Sequence, residues 1–261
     1  MNHHHGTSNW IPHTRSRATL ALMLGFALAA AIGSLWSSLA LLLILPALAI
    51  GFVAFVLHRV RHQLSHHGGG WEGRIHQLVV SRLALPAGAT ASLLDIGCGD
   101  GSLLIATLQQ APGVHATGID FWGGHWDYNK STCETHLAHH GFRADFRQMD
   151  AAHLEFPDAS FDIVVSVMCF HEVHAPAGAD KPGPLVAIGE ALRVLRPGGT
   201  FVFADRFANA VEYGGAPALE AALQATSGLR RERLSELVEV PWPLKTKRAL
   251  GDVEIVSGRK R

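Results

Sequence analysis

From Ala18 to Leu57 the chain has no Asp, Glu, Lys, Arg or His. A helix pair in a water-soluble core keeps one polar face, and none is present here, so this run is not expected to be soluble structure. An excess of either charge is also missing. Lys plus Arg number 22 and Asp plus Glu number 22, so no net field draws the protein to polyanions. With no basic stretch carrying interleaved aromatics, nucleic acid is not an expected partner. Cysteine is scarce: Cys98, Cys133 and Cys169 are odd in number, widely spread and outside any metal-ligand spacing. This excludes a disulfide framework and fits reduced thiols in a cytosolic compartment. Histidine is plentiful, but no H-E-x-x-H occurs, and the clusters His3–His5, His66–His67 and His139–His140 are adjacent residues that would point to different faces of a helix. No metal is expected.

What is there begins with that uncharged run. A bilayer core takes about twenty apolar residues per helix, so Ala18–Leu57 accommodates two short spans separated at Ser34–Ser38. Arg15 and Arg17 flank one end, Arg59 and Arg61 the other, and the middle is uncharged. The positive-inside rule therefore puts both ends in the cytoplasm, with Trp36 at the far interface. A cleaved signal peptide has an apolar core of only about 7–15 residues and fits less well. Pro46 is expected to kink the second span or mark a re-entrant bend. The organisation read from the sequence is a tail over 1–17, a transmembrane helical hairpin over 18–57, a linker over 58–70 and one domain over 71–261. The glycine-rich end of the linker, Gln63–Gly70, reads as flexible chain spanning about 15 Å. The expected location is the cytoplasmic membrane, with the domain in the cytoplasm.

Within the domain, Ser92-Leu-Leu-Asp-Ile-Gly-Cys-Gly-Asp-Gly-Ser102 is an apolar strand running into three glycines on alternate positions, preceded by a carboxylate. Such glycines turn the chain sharply and let a ligand approach the backbone. The dinucleotide fingerprint G-x-G-x-x-G shares the setting, but here the third glycine comes one residue early and Asp95 replaces an apolar residue. That spacing favours S-adenosylmethionine over NAD. The next apolar run, Val114–Asp120, ends in a carboxylate about twenty residues on, where Asp120 would accept from both ribose hydroxyls.

These motifs resemble the class I S-adenosylmethionine-dependent methyltransferases, of the methyltransferase type 11-like kind, and the similarity continues in order over roughly Trp71–Arg261. Arg147–Asp158 is similar to the family's third strand and following loop, Phe161–Val167 to its fourth strand, and Ala191–Phe203 to its helix, tight turn and fifth strand. Pro197-Gly198-Gly199 is expected to stop that helix and reverse the chain. The resemblance implies an α/β fold, a doubly wound seven-stranded Rossmann-like sheet with its last strand antiparallel, here preceded by the two-helix hairpin. Leu234–Val240 and Gly251–Gly258 would supply the last two strands. It also implies a cofactor site of Asp95, Gly97, Cys98, Gly99, Gly101 and Asp120, with Asp150 and its neighbour Ala151 facing the adenine amino group.

Phe121 or Trp122 would contact adenine; alternatively Trp122 and Trp126 pin the following helix, Asn129–His140, onto the sheet. Trp71–Leu83 reads as an amphipathic helix that packs on the sheet, the alternative being that it covers the mouth of the cofactor site. At the carboxyl end of the fourth strand, where open parallel sheets place ligands, His171 and Glu172 are the candidate catalytic bases; His171 serving only to hold the strand end is the competing reading. Ala204–Phe207 and Tyr213 would face the acceptor. The expected activity is methyl transfer to a small-molecule or lipid acceptor at the membrane. The alternatives are a non-catalytic cofactor-binding module, and an NAD-dependent oxidoreductase, which the glycine spacing and the absence of Tyr-x-x-x-Lys disfavour.

Overall fold

The computed structural model describes residues 10–11, 13–86, 88–123 and 128–261. The His3–His5 cluster, and Trp126 within Gly124–Asp127, lie outside the described residues. The chain divides at Trp71 into two units, taken separately below.

In the first unit, helix α1 (His13–Gly33) leads through a 3₁₀ segment (Ser38–Leu43) into α2 (Ile44–Leu64). The two helices run antiparallel: Met23 lies against Gly51, Ala40 against Gly33, and Arg61 donates a hydrogen bond to the Ile11 carbonyl. Arg15, Arg17, Arg59 and Arg61 thus share one end, and Trp36, 79% exposed, lies at the other. The flanks are apolar and uncovered, with Leu28, Leu45, Leu48 and Phe52 all exposed. Among the described residues one helical stretch, Ser38–Leu64, is long and apolar enough to cross a membrane, and Arg17–Gly33 is a shorter apolar helix.

Two expectations for this unit are corrected. Pro46 does not kink a span, because α2 begins at Ile44 and a first-turn proline gives up an N–H with no intrahelical partner. Of the linker expected over 58–70, residues 58–64 continue α2, and the part expected to be flexible, Gln63–Gly70, forms a bonded turn in which Gly69 N–H donates to His62 O (3.1 Å) and Gly70 N–H to Ser65 O (2.9 Å). Glycine permits this tight turn, since a Cβ on Gly68 would collide with the His62 carbonyl.

The second unit is built on a seven-stranded sheet ordered β3-β2-β1-β4-β5-β7-β6. The strands are β1 (Ser92–Ile96), β2 (His115–Asp120), β3 (Asp145–Gln148), β4 (Phe161–Val167), β5 (Leu195–Asp205), β6 (Thr226–Arg233) and β7 (Glu254–Lys260). The helices are α3 (Trp71–Leu83), α4 (Ser102–Gln110), α5 (Lys130–His139), α6 (Gly183–Val194), α7 (Ala210–Tyr213), α8 (Ala216–Ala222) and α9 (Leu234–Leu237). Strands β1 to β5 pair in parallel, while β7 runs antiparallel to both β5 and β6. The last strand is therefore the antiparallel one, as expected.

Central strands β1 and β4 are almost wholly apolar because both faces are covered. Leu94, Ile96, Val164, Phe201 and Phe203 bury one face against Ile188, Ala191 and Leu192 of α6. Phe203 meets Phe170 edge-on at 5.1 Å. Helix α3 packs rather than frays, burying Ile75, Val79 and Val80, and Arg82 ties it to β6 through Glu232 Oε2 at 2.8 Å. Helix α5 opens on a capping box between Asn129 and Thr132, which satisfies orphan N–H groups of the first turn.

Several strand assignments change. Leu234–Val240 is not a strand: the residues that pair with β7 are Thr226–Arg233, and Leu234–Leu237 is a helical turn. The edge position explains this, because β6 has a neighbour on one side only and carries charges, Arg230, Arg231, Glu232 and Arg233, where the apolar pattern pointed further on. The seventh strand begins at Glu254 rather than Gly251. Pro197-Gly198-Gly199 does not stop the helix, which already ends at Val194; these residues lie in β5, where the pairing slips between Phe161 and Ile163. Replacing Phe203 by Ala should cost about 3–5 kcal/mol, read as a lower denaturant midpoint with an unchanged slope.

Candidate active site

The parallel pairing brings the carboxyl ends of β1, β2, β4 and β5 to one edge of the sheet, and the glycine turn after β1 lies there. Its shape is held by bonds to the next strand. Gly97 N–H (2.8 Å) and Cys98 N–H (2.9 Å) both donate to Ile119 O. Gly99 N–H donates to Asp120 Oδ2 (2.9 Å) and Trp122 N–H to Asp120 Oδ1 (2.9 Å). Gly101 N–H donates to Cys98 O (2.8 Å), and Ser102 N–H to Asp100 Oδ1 (3.0 Å). Gly97 has φ +73°, and a Cβ there would strike Cys169 at the end of β4. Gly99, at φ +57°, faces the ring of Tyr128, whose nearest atom is 3.6 Å from where a Cβ would stand.

The turn is surrounded by acids. Asp95 is 1% exposed, and among the described residues both its carboxylate oxygens lack a hydrogen-bond partner. Burial, then Asp120 and Asp100, pushes its pKa well above the usual carboxylate range. Burial also raises Asp120, against the backbone bonds from Trp122, Gly99 and Phe121. On α3, burial and then Asp100 lift Glu72, while burial pulls His76 down to about 4 with Asp100 opposing. Tyr128 is raised by burial, then by Asp120, Asp100, Glu172 and Glu72. A buried carboxylate without a partner is costly, so this cradle suits a ligand bringing positive charge. A pyrophosphate fits poorly, because the N–H groups of Gly97, Cys98, Gly99, Gly101 and Ser102 are already bound within the protein and the flanking groups are acids.

The structure brings Asp95, Gly97, Gly99, Gly101 and Asp120 together. Cys98 gives its N–H to Ile119, its carbonyl to Gly101 and its thiol to packing near Gly118, so it shapes the turn. Trp122 donates its indole N–H to Gly99 O (3.1 Å) and meets Phe146 of β3 edge-on at 6.3 Å. Phe121 is 66% exposed, its carbonyl held by Gln148 (2.7 Å). Exposed Asp150 accepts from Ala152 N–H (2.8 Å), turning the chain after β3, with Ala151 buried behind it.

His171 and Glu172 sit in a 3₁₀ turn (Phe170–Glu172) following β4. His171 Nδ1 lies 2.7 Å from Asp205 Oδ1, and Nε2 lies 4.0 Å from Glu172 Oε1. Burial opposes charge on His171, but Asp205 and Glu172 together raise its pKa. Tyr213, expected to face an acceptor, is instead fully buried against Phe207. Among the described residues no group of three or more His, Cys, Asp or Glu could hold a metal ion. Sequence reasoning placed Asp205 on the acceptor side but did not pair it with His171, 34 residues away, and it assigned no role to Glu72 or His76, which enter by packing.

Residues 94–203 match a family model described as a methyltransferase domain. The chain is 33% identical over 147 residues to 27-O-demethylrifamycin SV methyltransferase of Amycolatopsis mediterranei (strain S699), covering 53% of this chain and 50% of that protein. It is 37% identical over 121 residues to 2-methyl-6-phytyl-1,4-hydroquinone methyltransferase of Synechocystis sp. (strain ATCC 27184 / PCC 6803 / Kazusa), covering 46% and 33%. The chain thus spans half or less of these relatives' lengths. A geranyl diphosphate C-methyltransferase from Streptomyces coelicolor A3(2), solved with S-adenosyl-L-homocysteine, shares the fold at TM-score 0.55 and 10% identity, over 73% of this chain and 79% of that one. Family match, relatives and fold together support a methyltransferase domain.

Asp95 holds its proton in the folded protein at pH values where the unfolded chain, with a carboxyl pKa of about 3.9, has lost it. Stability should therefore fall as pH rises above about 4 towards the raised folded value. Without ligand, Asp95→Asn should raise the urea midpoint over wild type at pH 7, with the gain shrinking towards pH 4. Equal midpoints at both pH values would show that this carboxyl is not held protonated.

Proposed function

We propose that this chain is an S-adenosylmethionine-dependent methyltransferase, anchored in the cytoplasmic membrane, that acts on a small or lipophilic acceptor. The observation that carries it is the glycine turn whose N–H groups are spent within the protein while buried Asp95 has no partner. S-adenosylmethionine bears a sulfonium and an ammonium against one carboxylate, so its net positive charge suits this cradle; NAD, with its pyrophosphate, does not. Asp120 accepts from Gly99 on one oxygen and from Trp122 on the other, and its remaining acceptor capacity serves the ribose hydroxyls. Asp95 faces the ammonium end. Asp150 serves the adenine amino group, and the open ring of Phe121 stacks on the base.

When bound, the cofactor supplies an electrophilic methyl group on sulfur. The chain's contribution is alignment of donor and acceptor, an effect of up to about 7–11 kcal/mol in well-oriented systems. The acceptor enters over the ends of β4 and β5, where open sheets leave room for ligands.

The anchor reading rests on the hairpin. Its apolar flanks are uncovered, and its arginines gather at one end opposite Trp36. The stretch Ser38–Leu64 is long and apolar enough to cross a membrane, whose hydrocarbon core is about 30 Å thick. Six residues, Ser65–Gly70, then join α2 to α3, so a hairpin in the bilayer tethers the domain beside it. The relatives named for a phytyl hydroquinone and for 27-O-demethylrifamycin SV support the acceptor class.

Asp120→Ala should weaken S-adenosylhomocysteine binding at least tenfold in calorimetry; unchanged affinity would refute the ribose assignment. Methyl-labelled S-adenosylmethionine given to membranes carrying the protein should label the lipid fraction, and Asp120→Ala membranes should not. The full chain should stay in the pellet after an alkaline carbonate wash, and release into the supernatant would remove the anchor.

A further inference from the structure

The ends of β4 and β5 lie side by side, with Val167 paired to Ala204, so the residues just beyond them meet. Asp205, 1% exposed, is held by Arg206 N–H on Oδ1 (2.7 Å) and His171 N–H on Oδ2 (3.4 Å). Its Oδ1 also faces His171 Nδ1 at 2.7 Å. A carboxylate can only accept, so Nδ1 carries the proton and the neutral ring presents the Nε2 lone pair. Among the described residues Nε2 makes no hydrogen bond; Glu172 at 4.0 Å is too distant. The His171 side chain is 13% exposed, so Nε2 is reachable but largely desolvated. The position is right as well, since Cys169, two residues before His171, abuts Gly97 of the cofactor turn.

We propose that Asp205 is a positioning residue that holds His171 with Nε2 towards the acceptor as a general base, and that the acceptor is therefore a weakly acidic hydroxyl, phenolic or enolic. This rests on the methyltransferase reading above. The acceptor oxygen bonds to the methyl carbon as the carbon–sulfur bond breaks, and the bonding pair stays on sulfur. The hydroxyl proton passes to His171 Nε2, and Asp205 stabilises the imidazolium. An amine acceptor presents its own lone pair and needs no buried carboxylate behind a base, and an unactivated carbon acid is too weak for imidazole.

Other charged groups meet here. Glu172 lies on the same turn, while Arg206 and Glu212, ion-paired to each other at 3.1 Å, face His171 from beyond β5 with opposite effects on its charge. Buried Tyr213 and half-buried Cys169 flank Asp205.

The test is a pH titration of ¹⁵N-histidine-labelled full chain in detergent with S-adenosylhomocysteine, read by NMR. His171 should be the Nδ1–H tautomer when neutral, with its midpoint above about 6.5; Asp205→Asn should lower the midpoint and mix the tautomers without changing S-adenosylhomocysteine affinity. An Nε2–H tautomer in the wild type, or a midpoint unmoved in Asp205→Asn, overturns the positioning role. In membranes given methyl-labelled S-adenosylmethionine, Asp205→Asn should cut the rate about 10²–10⁴-fold and move the pH–rate midpoint down, whereas a merely structural role lowers the rate at every pH with the midpoint fixed. Label in the product should be released as methyl iodide by hydriodic acid, as aryl ethers do, and label retained on carbon overturns the hydroxyl assignment. Failure of the wild type to bind S-adenosylhomocysteine removes the cofactor reading, and the tautomer still decides the dyad by itself.

Discussion

The site depends on the tie between the turn after β1 and the end of β2. Ile119 accepts from two successive N–H groups of that turn, and the Asp120 carboxylate then bridges Gly99 and Trp122. Three consequences follow from these few bonds. They hold the positive φ of the glycines in place, they use up donors that would otherwise attract phosphate, and they leave Asp120 acceptor capacity for a ligand. Trp122 and Cys133 close the arrangement from behind through the Gly99 carbonyl.

Electrostatics then separates this site from a dinucleotide site built on the same strand-turn-helix unit. The amino terminus of α4 favours negative charge, and Asp100 at its first turn already answers it. Asp95 has no such answer among the described residues, and its desolvation together with Asp120 and Asp100 raises its pKa and so favours the protonated form. A cationic ligand changes that balance by favouring the carboxylate, so binding and ionisation are linked. Glu72 and His76 bring α3 into the same field, which gives this helix a share in the site beyond packing.

The hairpin and the sheet unit are stabilised by different means. In the sheet unit, apolar side chains close on one another, as Phe170, Phe201 and Phe203 do, and water is excluded. In the hairpin, contacts such as Met23 with Gly51 join the two helices, while most large apolar side chains point outward. Burial inside the chain does not account for those residues. On the anchor reading proposed above, a bilayer would supply the apolar surroundings they lack, with the helical backbone satisfying its own hydrogen bonds.

Local pattern was enough wherever a residue's neighbours in the chain were also its partners in the structure. β1, β4, the start of α4, the extent of α3 and the uncharged run were all legible, because apolar period, glycine spacing and absence of charge are one-dimensional signals. The glycine turn and Asp120 were legible for the same reason, being fixed by one strand-helix-strand unit. The edge strand β6 was not, because an edge exposes one side and tolerates the charges that sequence reading takes for a loop. The helical continuation to Leu64 was hidden by the glycines after it, and the place of Pro46 by where the helix begins. Asp205 beside His171, and Glu72 beside Asp100, could come only from tertiary structure. Each pair joins elements far apart in the chain, and which strand ends lie side by side is settled by strand order and helix packing together.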